Sequence, residues 1–478
     1  MAWTDPTLWA WFFFVSEWVI RLAMLVVVPF RRTPAAAKGW LLLVFFEPWI
    51  GLLLYLLIGR AKLPRWRRER LAKLPQVMTK VTSRLASHPN VFHPDVGPAL
   101  SEAVTLAENL GQSPILGGNA VELLVDYDGT FARVVADIDG AASHVHLQFY
   151  IFADDRATAP VIEALGRAVG RGVPCRVLVD SVGSRSALRT LVPKLSALGV
   201  AVHEMLPVSL FPWKMARLDL RNHRKIVVID GRIGYTGSQN LVAAKFKEGV
   251  TYEELMVRVT GPVVLELQYV FAADWFLETN EVLDGETEFP GPEIAGAVPA
   301  QALPSGPSFP TQNNQRLIVA LVHGARQQVV LTTPYFIPDE PLLQALQTAV
   351  LRGVDVHLVV SEKEDQFLVS QAQKSYYEEL LEAGVHIHLY RKNFLHSKHL
   401  SADDAVAMIG TSNLDIRSFV LNAELMLMIY DPAVVARLRA EQERYFASCR
   451  LLTLAAWRER SLGSRLIQNL ARLLSPLL

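Results

Sequence analysis

The chain opens on two long apolar runs and then changes rhythm. Leu8 to Phe30 is a 23-residue run interrupted only by Ser16, Glu17 and Arg21. A helix rising 1.5 Å per residue over that length crosses a hydrocarbon core about 30 Å thick. Glu17 and Arg21 stand four apart on one helix face, where they pair with each other or with a neighbouring helix instead of blocking insertion. Trp40 to Ile58 is a second run of 19 residues with Glu47 and Pro48 near its middle. It predicts a second transmembrane helix, kinked at the proline, with a re-entrant hairpin as the alternative. The first run lacks a basic lead-in and is too long for a cleaved signal, so residues 1–60 are expected to stay as a membrane hairpin.

From about residue 118 the pattern predicts strands alternating with helices. Val121–Val125, Val145–Phe152 and Cys175–Val179 read as strands, with helices over Phe131–Ile138 and Ala159–Gly170. After a Pro/Gly-rich stretch from Gly285 to Ser308, expected to connect two domains, the grammar returns: strand Val329–Thr333, helix Leu342–Leu351, strand Val354–Val360. Such alternation predicts an α/β architecture around a mixed sheet. The expected division is membrane hairpin 1–60, basic juxtamembrane linker 61–117, first lobe 118–284, connection 285–312, second lobe 313–450 and a C-terminal amphipathic helix 451–478. In that last segment Leu462, Leu466, Leu470, Leu473, Leu474 and Leu477 form one stripe, with Arg458, Arg465 and Arg472 off it. An interfacial helix is expected, with packing on the domain as the alternative.

Charge orients this arrangement. Arg60, Lys62, Arg65, Arg67, Arg68, Arg70 and Lys73 follow the second run, against Arg31, Arg32 and Lys38 between the runs, which places the large C-terminal part in the cytoplasm. The Arg60–Lys73 cluster suits anionic lipid head groups or a solvated helix start. Leu206 to Leu220, with Leu210-Phe211-Pro212-Trp213-Lys214, is either a loop dipping into the bilayer or a covered core loop. Lys+Arg and Asp+Glu both total 47, so no global positive charge favours nucleic acid. A hydrophobic share of 51% and a mean hydropathy of +0.23 fit a chain partly in lipid. Cys175 and Cys449 lack C-x-x-C partners and are expected to be buried thiols, neither disulfide nor zinc site.

The two halves share words as well as grammar. Shifted by 173, His223, Lys225, Asp230, Gly237 and Asn240 land on His396, Lys398, Asp403, Gly410 and Asn413; at an offset of 170, Glu254-Leu255-Met256 lands on Glu424-Leu425-Met426. That is a duplication with two pseudo-symmetric lobes. On a strand, residues i and i+2 share a face, so His223 projects with Lys225 and His396 with Lys398. Brought together between lobes, two imidazoles and two ammoniums suit phosphoryl transfer on a diester: fixed cations stabilise the spreading negative charge, one histidine attacks phosphorus and the other protonates the leaving oxygen. His386 and His388 with His396 and His399 invite a metal cluster, but no carboxylate or cysteine lies at ligand spacing, and no cofactor or metal is expected. Asp415, Arg417 and Ser418 either shape the pocket or cap a helix.

These doubled blocks, His-x-Lys with four residues to Asp and then Gly-Ser/Thr-x-Asn, resemble the paired HxKxxxxD motifs of the phospholipase D superfamily. With the N-terminal hairpin, Thr333-Pro334-Tyr335-Phe336-Ile337-Pro338-Asp339 and the Leu-rich C-terminus, the chain is similar to bacterial cardiolipin synthases over essentially its whole length. The resemblance implies two α/β/α phospholipase D-like lobes with the active site at their interface, in the bacterial inner membrane. It implies a metal-independent transfer between two phosphatidylglycerols, giving cardiolipin and glycerol through a phosphatidyl-histidine. The motif residues His223, Lys225, Asp230, His396, Lys398 and Asp403 form the implied catalytic set, with His223 favoured as nucleophile and His396 as acid and base. Asn240 and Asn413, with Ser238 and its counterpart Thr411, are expected at the substrate, and Glu254 and Glu424 behind the histidines. Asp230 and Asp403 follow the strand at a turn, where a structural role is expected. Partners are then membrane phospholipids and no nucleic acid, with a homo-oligomer left open. A phospholipase D hydrolase or a phosphatidyltransferase with another acceptor is the alternative, ahead of a nuclease or an inactive scaffold.

Overall fold

Short apolar segments pair into one 15-stranded sheet in the computed structural model of the chain, which describes residues 6–32, 34–59, 63–208, 219–291, 293–309, 311–473 and 475. In chain order the strands are β1 Leu116–Leu124, β2 Val145–Phe149, β3 Cys175–Asp180, β4 Ala201–Met205, β5 Ile226–Ile229, β6 Ile233–Gly237, β7 Tyr252–Glu253, β8 Met256–Thr260 and β9 Val298–Ser305. They continue as β10 Gln328–Thr332, β11 Phe336–Ile337, β12 Asp355–Ser361, β13 His386–Tyr390, β14 Phe394–Leu395, β15 His399–Ala402, β16 Val406–Gly410, β17 Leu414–Asp415, β18 Glu424–Ile429 and β19 Cys449–Leu452.

β1 and β9 meet at the middle of the sheet. Outward from β1 the order is β8, β6, β5, β2, β3, β4; outward from β9 it is β18, β16, β15, β10, β12, β13, with β19 on that edge. Both arms run antiparallel as far as β2 and β10, then parallel as far as β4 and β13, and the edge strand β19 pairs β13 antiparallel. Parallel neighbours need a crossover, and the helices Ala159–Gly170 and Glu340–Leu351 supply it. A central apolar cluster draws on both arms, with Val228, Val257 and Val259 packed with Ile409, Leu425 and Leu427. Each such fully buried aliphatic side chain contributes about 1.5–3 kcal/mol.

The stretch Gly285–Ser308, expected as a connection, holds β9. Pro299 and Pro304 weaken its strand signal because proline cannot donate to a ladder. Their carbonyls are nevertheless used: Tyr430 N donates to Pro299 O at 3.0 Å and Asn313 Nδ2 to Pro304 O at 2.9 Å.

The N-terminal helices are α1 Pro6–Val27, α2 Pro34–Phe46 and α3 Pro48–Ile58. Among the described residues only Trp9–Val27 is long and apolar enough to cross a membrane. The second expected transmembrane helix does not form as one element. Pro48 has no N–H to continue the ladder, and the chain bends at Glu47 into helices of 13 and 11 residues, about 20 and 17 Å long. The Trp40 and Tyr55 rings lie 5.3 Å apart, where a straight helix would separate those residues by about 22 Å, so α2 and α3 fold back on each other. Gly51 sits at the contact, where a Cβ would stand 2.8 Å from Val44 Cα. At the bend, Arg21 donates Nε to Phe45 O at 3.0 Å and pairs with Glu17 at 3.1 Å, serving a carbonyl at a helix end.

The expected linker 61–117 is folded onto the sheet domain as α4 Arg65–Val77, α5 Thr79–Ala86 and α6 Pro98–Gly111. Arg67 is buried against Glu278 and Asp274, and Arg70 donates to Leu277 O and Glu278 O at 2.9 and 2.7 Å, so two members of the basic cluster dock α4 instead of facing lipid. Arg65, Arg68 and Lys73 remain exposed. Leu100, Ala103 and Ala107 of α6 join the core of the second arm with Leu317 and Leu321. At the C-terminus the helix Leu462–Leu473 packs on the domain through one face and leaves its leucine stripe exposed on another. Arg465 and Arg472 pair with Glu378 and Glu379, whereas Leu462, Leu466, Leu470 and Leu473 stay exposed. Arg60, Lys62, the loop Leu210-Phe211-Pro212-Trp213-Lys214, and Leu474 and Leu477 lie outside the described residues. Cys175 and Cys449 are free thiols.

Candidate active site

Each histidine reaches the site on a short ladder built with the other half of the chain. His223 N donates to Ala423 O at 2.8 Å and Ala423 N to Arg221 O at 2.9 Å, directly before Glu424. In the same way β14 runs parallel to β7, and His396 N donates to Glu253 O at 2.8 Å, directly before Glu254. The pairing is therefore crossed. His223 Nδ1 lies 3.0 Å from each carboxylate oxygen of Glu424 and 3.1 Å from Thr411 O. His396 Nδ1 lies 2.7 Å from Glu254 Oε1. Both rings line one cavity of about 580 Å³, together with Asn240, Asn413 and Glu254.

The other expected site residues divide into groups. Lys225 and Lys398 are buried and donate from Nζ to the carbonyls of His223 (2.7 Å) and His396 respectively. Ser238 and Thr411 were expected at the substrate, and both hydroxyls are committed elsewhere. Ser238 Oγ accepts from Leu255 N at 2.9 Å and donates to Leu255 O at 3.2 Å. Thr411 Oγ1 accepts from Leu425 N at 2.9 Å and donates to Glu424 Oε2 at 2.5 Å, holding the carboxylate from behind. The preceding glycines allow this approach: a Cβ would stand 2.5 Å from Leu255 O at Gly237 and 2.2 Å from Leu425 O at Gly410. Asn240 Oδ1 accepts from Ile151 N at 3.1 Å, and Asn413 Oδ1 is buried without a hydrogen-bond partner.

Asp230 and Asp403 stand apart from the cavity. Both adopt left-handed backbone, at φ 56° and 48°, which a short polar side chain tolerates. Asp230 accepts from the N–H groups of Ala142, Ser143 and His144, and Asp403 from those of Arg326, Gln327 and Gln328. They tie each motif turn to the loop before β2 or β10, so their place in the motif reflects chain geometry.

Burial sets the electrostatics. It lowers His223 to about 4 against the opposing pull of Glu424, and lowers His396 against Glu254, so both imidazoles are neutral at pH 7. With Nδ1–H facing a carboxylate, each Nε2 carries the lone pair. Burial raises both glutamates, but the neighbouring histidines and lysines more than offset it and hold them below the usual carboxylate range. Burial likewise brings Lys225 down to about 7 and Lys398 to about 8, against the pull of the same glutamates. A phosphodiester bound beside them would favour their charged forms.

Sequence reasoning missed several contributors. Asp274 accepts from Asn222 Nδ2, Gln148 Nε2 and Arg224 Nη1 at 2.9, 2.6 and 2.6 Å, fixing the residues on either side of His223. Tyr150 packs edge-on to His223 at 5.0 Å, and Tyr252 to His396 at 5.4 Å. Asp365 lines the cavity from the loop after β12. No repeated spacing marks these positions, although Gln148 and Tyr150 lie in the expected strand Val145–Phe152, and Tyr335, which also lines the cavity, lies in the singled-out segment Thr333–Asp339. Asp415 fills both roles weighed for it, lining the cavity and accepting from Ser418 N at 2.6 Å as a helix cap. Among the described residues no group of three or more His, Cys, Asp or Glu side chains is arranged to hold a metal ion.

Fold and site together define the phospholipase D-like class: a mixed α/β protein with two crossed His–Glu pairs in one cavity. The solved phosphatidylserine synthase of Haemophilus influenzae Rd KW20 shares the fold, with a TM-score of 0.60 at 16% identity over 79% of this chain and 100% of that one. The family described as "Cardiolipin synthase, PLD-like domain" matches residues 134–275 and 318–446. Cardiolipin synthase A of Pectobacterium carotovorum subsp. carotovorum (strain PC1) is 35% identical over 489 residues, covering 99% of this chain and 100% of the relative. That of Proteus mirabilis (strain HI4320) is 34% identical over 492 residues with the same coverage. The chain belongs to the cardiolipin synthase family.

Proposed function

We propose that this bacterial membrane enzyme is a phosphatidyltransferase that joins two phosphatidylglycerols into cardiolipin and releases glycerol. Neutral His223 Nε2 attacks the phosphorus of the first lipid; the P–N bond forms as the P–O bond to glycerol breaks. The negative charge of the bound phosphate favours the imidazolium of His396, braced by Glu254, and that ring gives its proton to the departing glycerol oxygen. His396 then takes the proton of the second lipid's hydroxyl, whose oxygen attacks phosphorus while the P–N bond breaks. Lys225 and Lys398 neutralise the non-bridging oxygens, and Asn240 and Asn413 hold the phosphoryl group from the cavity wall. The observation that carries this account is the crossed pairing of His223 with Glu424 and His396 with Glu254 in one cavity. It supports reading the site as the shared product of two duplicated, pseudo-symmetric lobes.

α1 crosses the membrane once, and the α2–α3 hairpin enters and returns. That arrangement sets Arg31, Arg32, Lys38, Arg65, Arg68 and Lys73 on one face of the bilayer, the cytoplasmic one, with both lobes. The deciding experiment supplies purified full-length protein with phosphatidylglycerol vesicles in EDTA and identifies the lipid products. Cardiolipin with equimolar glycerol supports the account; phosphatidic acid as the main product makes the chain a hydrolase.

A further inference from the structure

The wall of the cavity on the His396 side carries a carboxylate that the mechanism above does not use. Asp365 Oδ2 is well supplied: Tyr335 donates its hydroxyl at 2.6 Å and Tyr252 at 3.2 Å, and Lys247 Nζ lies 3.7 Å away while also donating to Asp365 O. Oδ1 has no hydrogen-bond partner, although the side chain is only 7% exposed. A buried carboxylate oxygen without a donor is costly, and a ligand O–H removes that cost. The group sits one tyrosine away from His396, because the Tyr252 ring packs edge-on to that histidine while its hydroxyl donates to Asp365. Tyr252 and Lys247 come from the first lobe and Asp365 from the second, so this corner exists only when the lobes are joined.

Resting on the phosphatidyl-transfer function above, we propose that Asp365 Oδ1 is the specificity-determining acceptor for the second hydroxyl of the incoming alcohol. Phosphatidylglycerol acting as acceptor presents its primary hydroxyl to His396 and carries one secondary hydroxyl on the adjacent carbon. Asp365 takes a hydrogen bond from that secondary hydroxyl and leaves the primary oxygen to His396. A vicinal diol satisfies both groups; a simple primary alcohol leaves Oδ1 bare. The ammonium of an ethanolamine head group gains less, because Lys247 and the two tyrosines already compensate the carboxylate charge.

The test is a competition in phosphatidylglycerol vesicles with the full-length enzyme. Equal concentrations of 1,2-propanediol and 1-propanol, alcohols that differ only in the second hydroxyl, are added, and the two phosphatidyl alcohols and cardiolipin are quantified together. The wild-type enzyme is expected to favour the diol about tenfold or more. In Asp365→Asn the diol product falls much further than the propanol product, and the ratio approaches one. Absence of a diol preference in the wild-type enzyme overturns the assignment without recourse to any variant. So does a proportional loss of both products in Asp365→Asn, or, in a parallel competition with ethanolamine in place of 1-propanol, a product ratio that favours ethanolamine over the diol. A wild-type enzyme that makes both phosphatidyl alcohols but no cardiolipin counts against the parent function alone, with the diol ratio still deciding the role of Asp365.

Discussion

The two histidines descend from the same repeated block, yet their surroundings differ. At His223 the carboxylate is fully engaged: both oxygens of Glu424 lie 3.0 Å from Nδ1, and Thr411 donates to one of them. At His396, Glu254 offers one oxygen at 2.7 Å and its Oε2 has no hydrogen-bond partner. Around His223 the cavity wall holds Tyr150, Arg221 and Arg417; around His396 it holds Tyr252, Tyr335 and Asp365. Arg221 is paired with Asp180 and Lys247 with Asp365, so both ends carry a cation; what sets the His396 end apart is its tyrosine hydroxyls and carboxylate, which suit an alcohol. The difference teaches that two copies of one block can keep the same His–Glu pairing and diverge in what each ring faces, and it supports the proposed division of labour, phosphorus at His223 and alcohol at His396.

The sharpest way to break this comparison is to remove each ring. His223→Ala should lower cardiolipin turnover by about four orders of magnitude or more, and His396→Ala by about 10²–10⁴-fold, with membrane insertion intact in both. Near-normal turnover of either in vesicles containing phosphatidylglycerol contradicts the two-histidine mechanism. Lys225→Met or Lys398→Met should cost about 10²–10³-fold in kcat. The same lysines set the alkaline limb of the pH profile. Because burial lowers them to about 7 and 8, kcat/KM of the free enzyme should fall as pH rises through that window, while the acid limb falls as His223 gains its proton near 4. A profile flat from pH 6 to 9 would remove the lysines from phosphate binding. Glu424→Gln and Glu254→Gln should be milder, about 10–100-fold, with Glu424→Gln the worse because two donors, His223 Nδ1–H and Thr411 Oγ1–H, end on that carboxylate. The smallest effect is expected from EDTA, which should leave turnover unchanged; loss restored by one specific metal would replace the lysines as the source of positive charge.

Much of this was legible because it was written twice. His223, Lys225 and Asn240 recur in register at His396, Lys398 and Asn413, and Glu254 and Glu424 follow at nearly the same spacing. Spacing within one copy is silent about which glutamate serves which histidine; the crossed pairing arises from ladders that form only when the halves meet. Ser238 and Thr411 looked like substrate ligands because a motif hydroxyl beside a glycine reads the same whether it faces the cavity or a neighbouring strand. β9 was hidden by Pro299 and Pro304. The second apolar run looked like a transmembrane helix because hydropathy does not register that Pro48 ends one helix and starts another folded back on it. Asp365 left no signal, being one of several charged and polar residues in the loop Glu362-Lys363-Glu364-Asp365-Gln366.

Covalent capture tests the central claim most directly. His396→Ala, given phosphatidylglycerol labelled in its phosphorus over a long incubation and quenched in denaturant, retains the nucleophile but lacks both the acid that speeds glycerol departure and the base that lets the second alcohol attack, so the covalent intermediate forms slowly and then persists. The account predicts stoichiometric label on the peptide carrying His223, absent from the His223→Ala, His396→Ala double variant. Label on any other residue, or cardiolipin formed with no protein-bound label at any time, would contradict it.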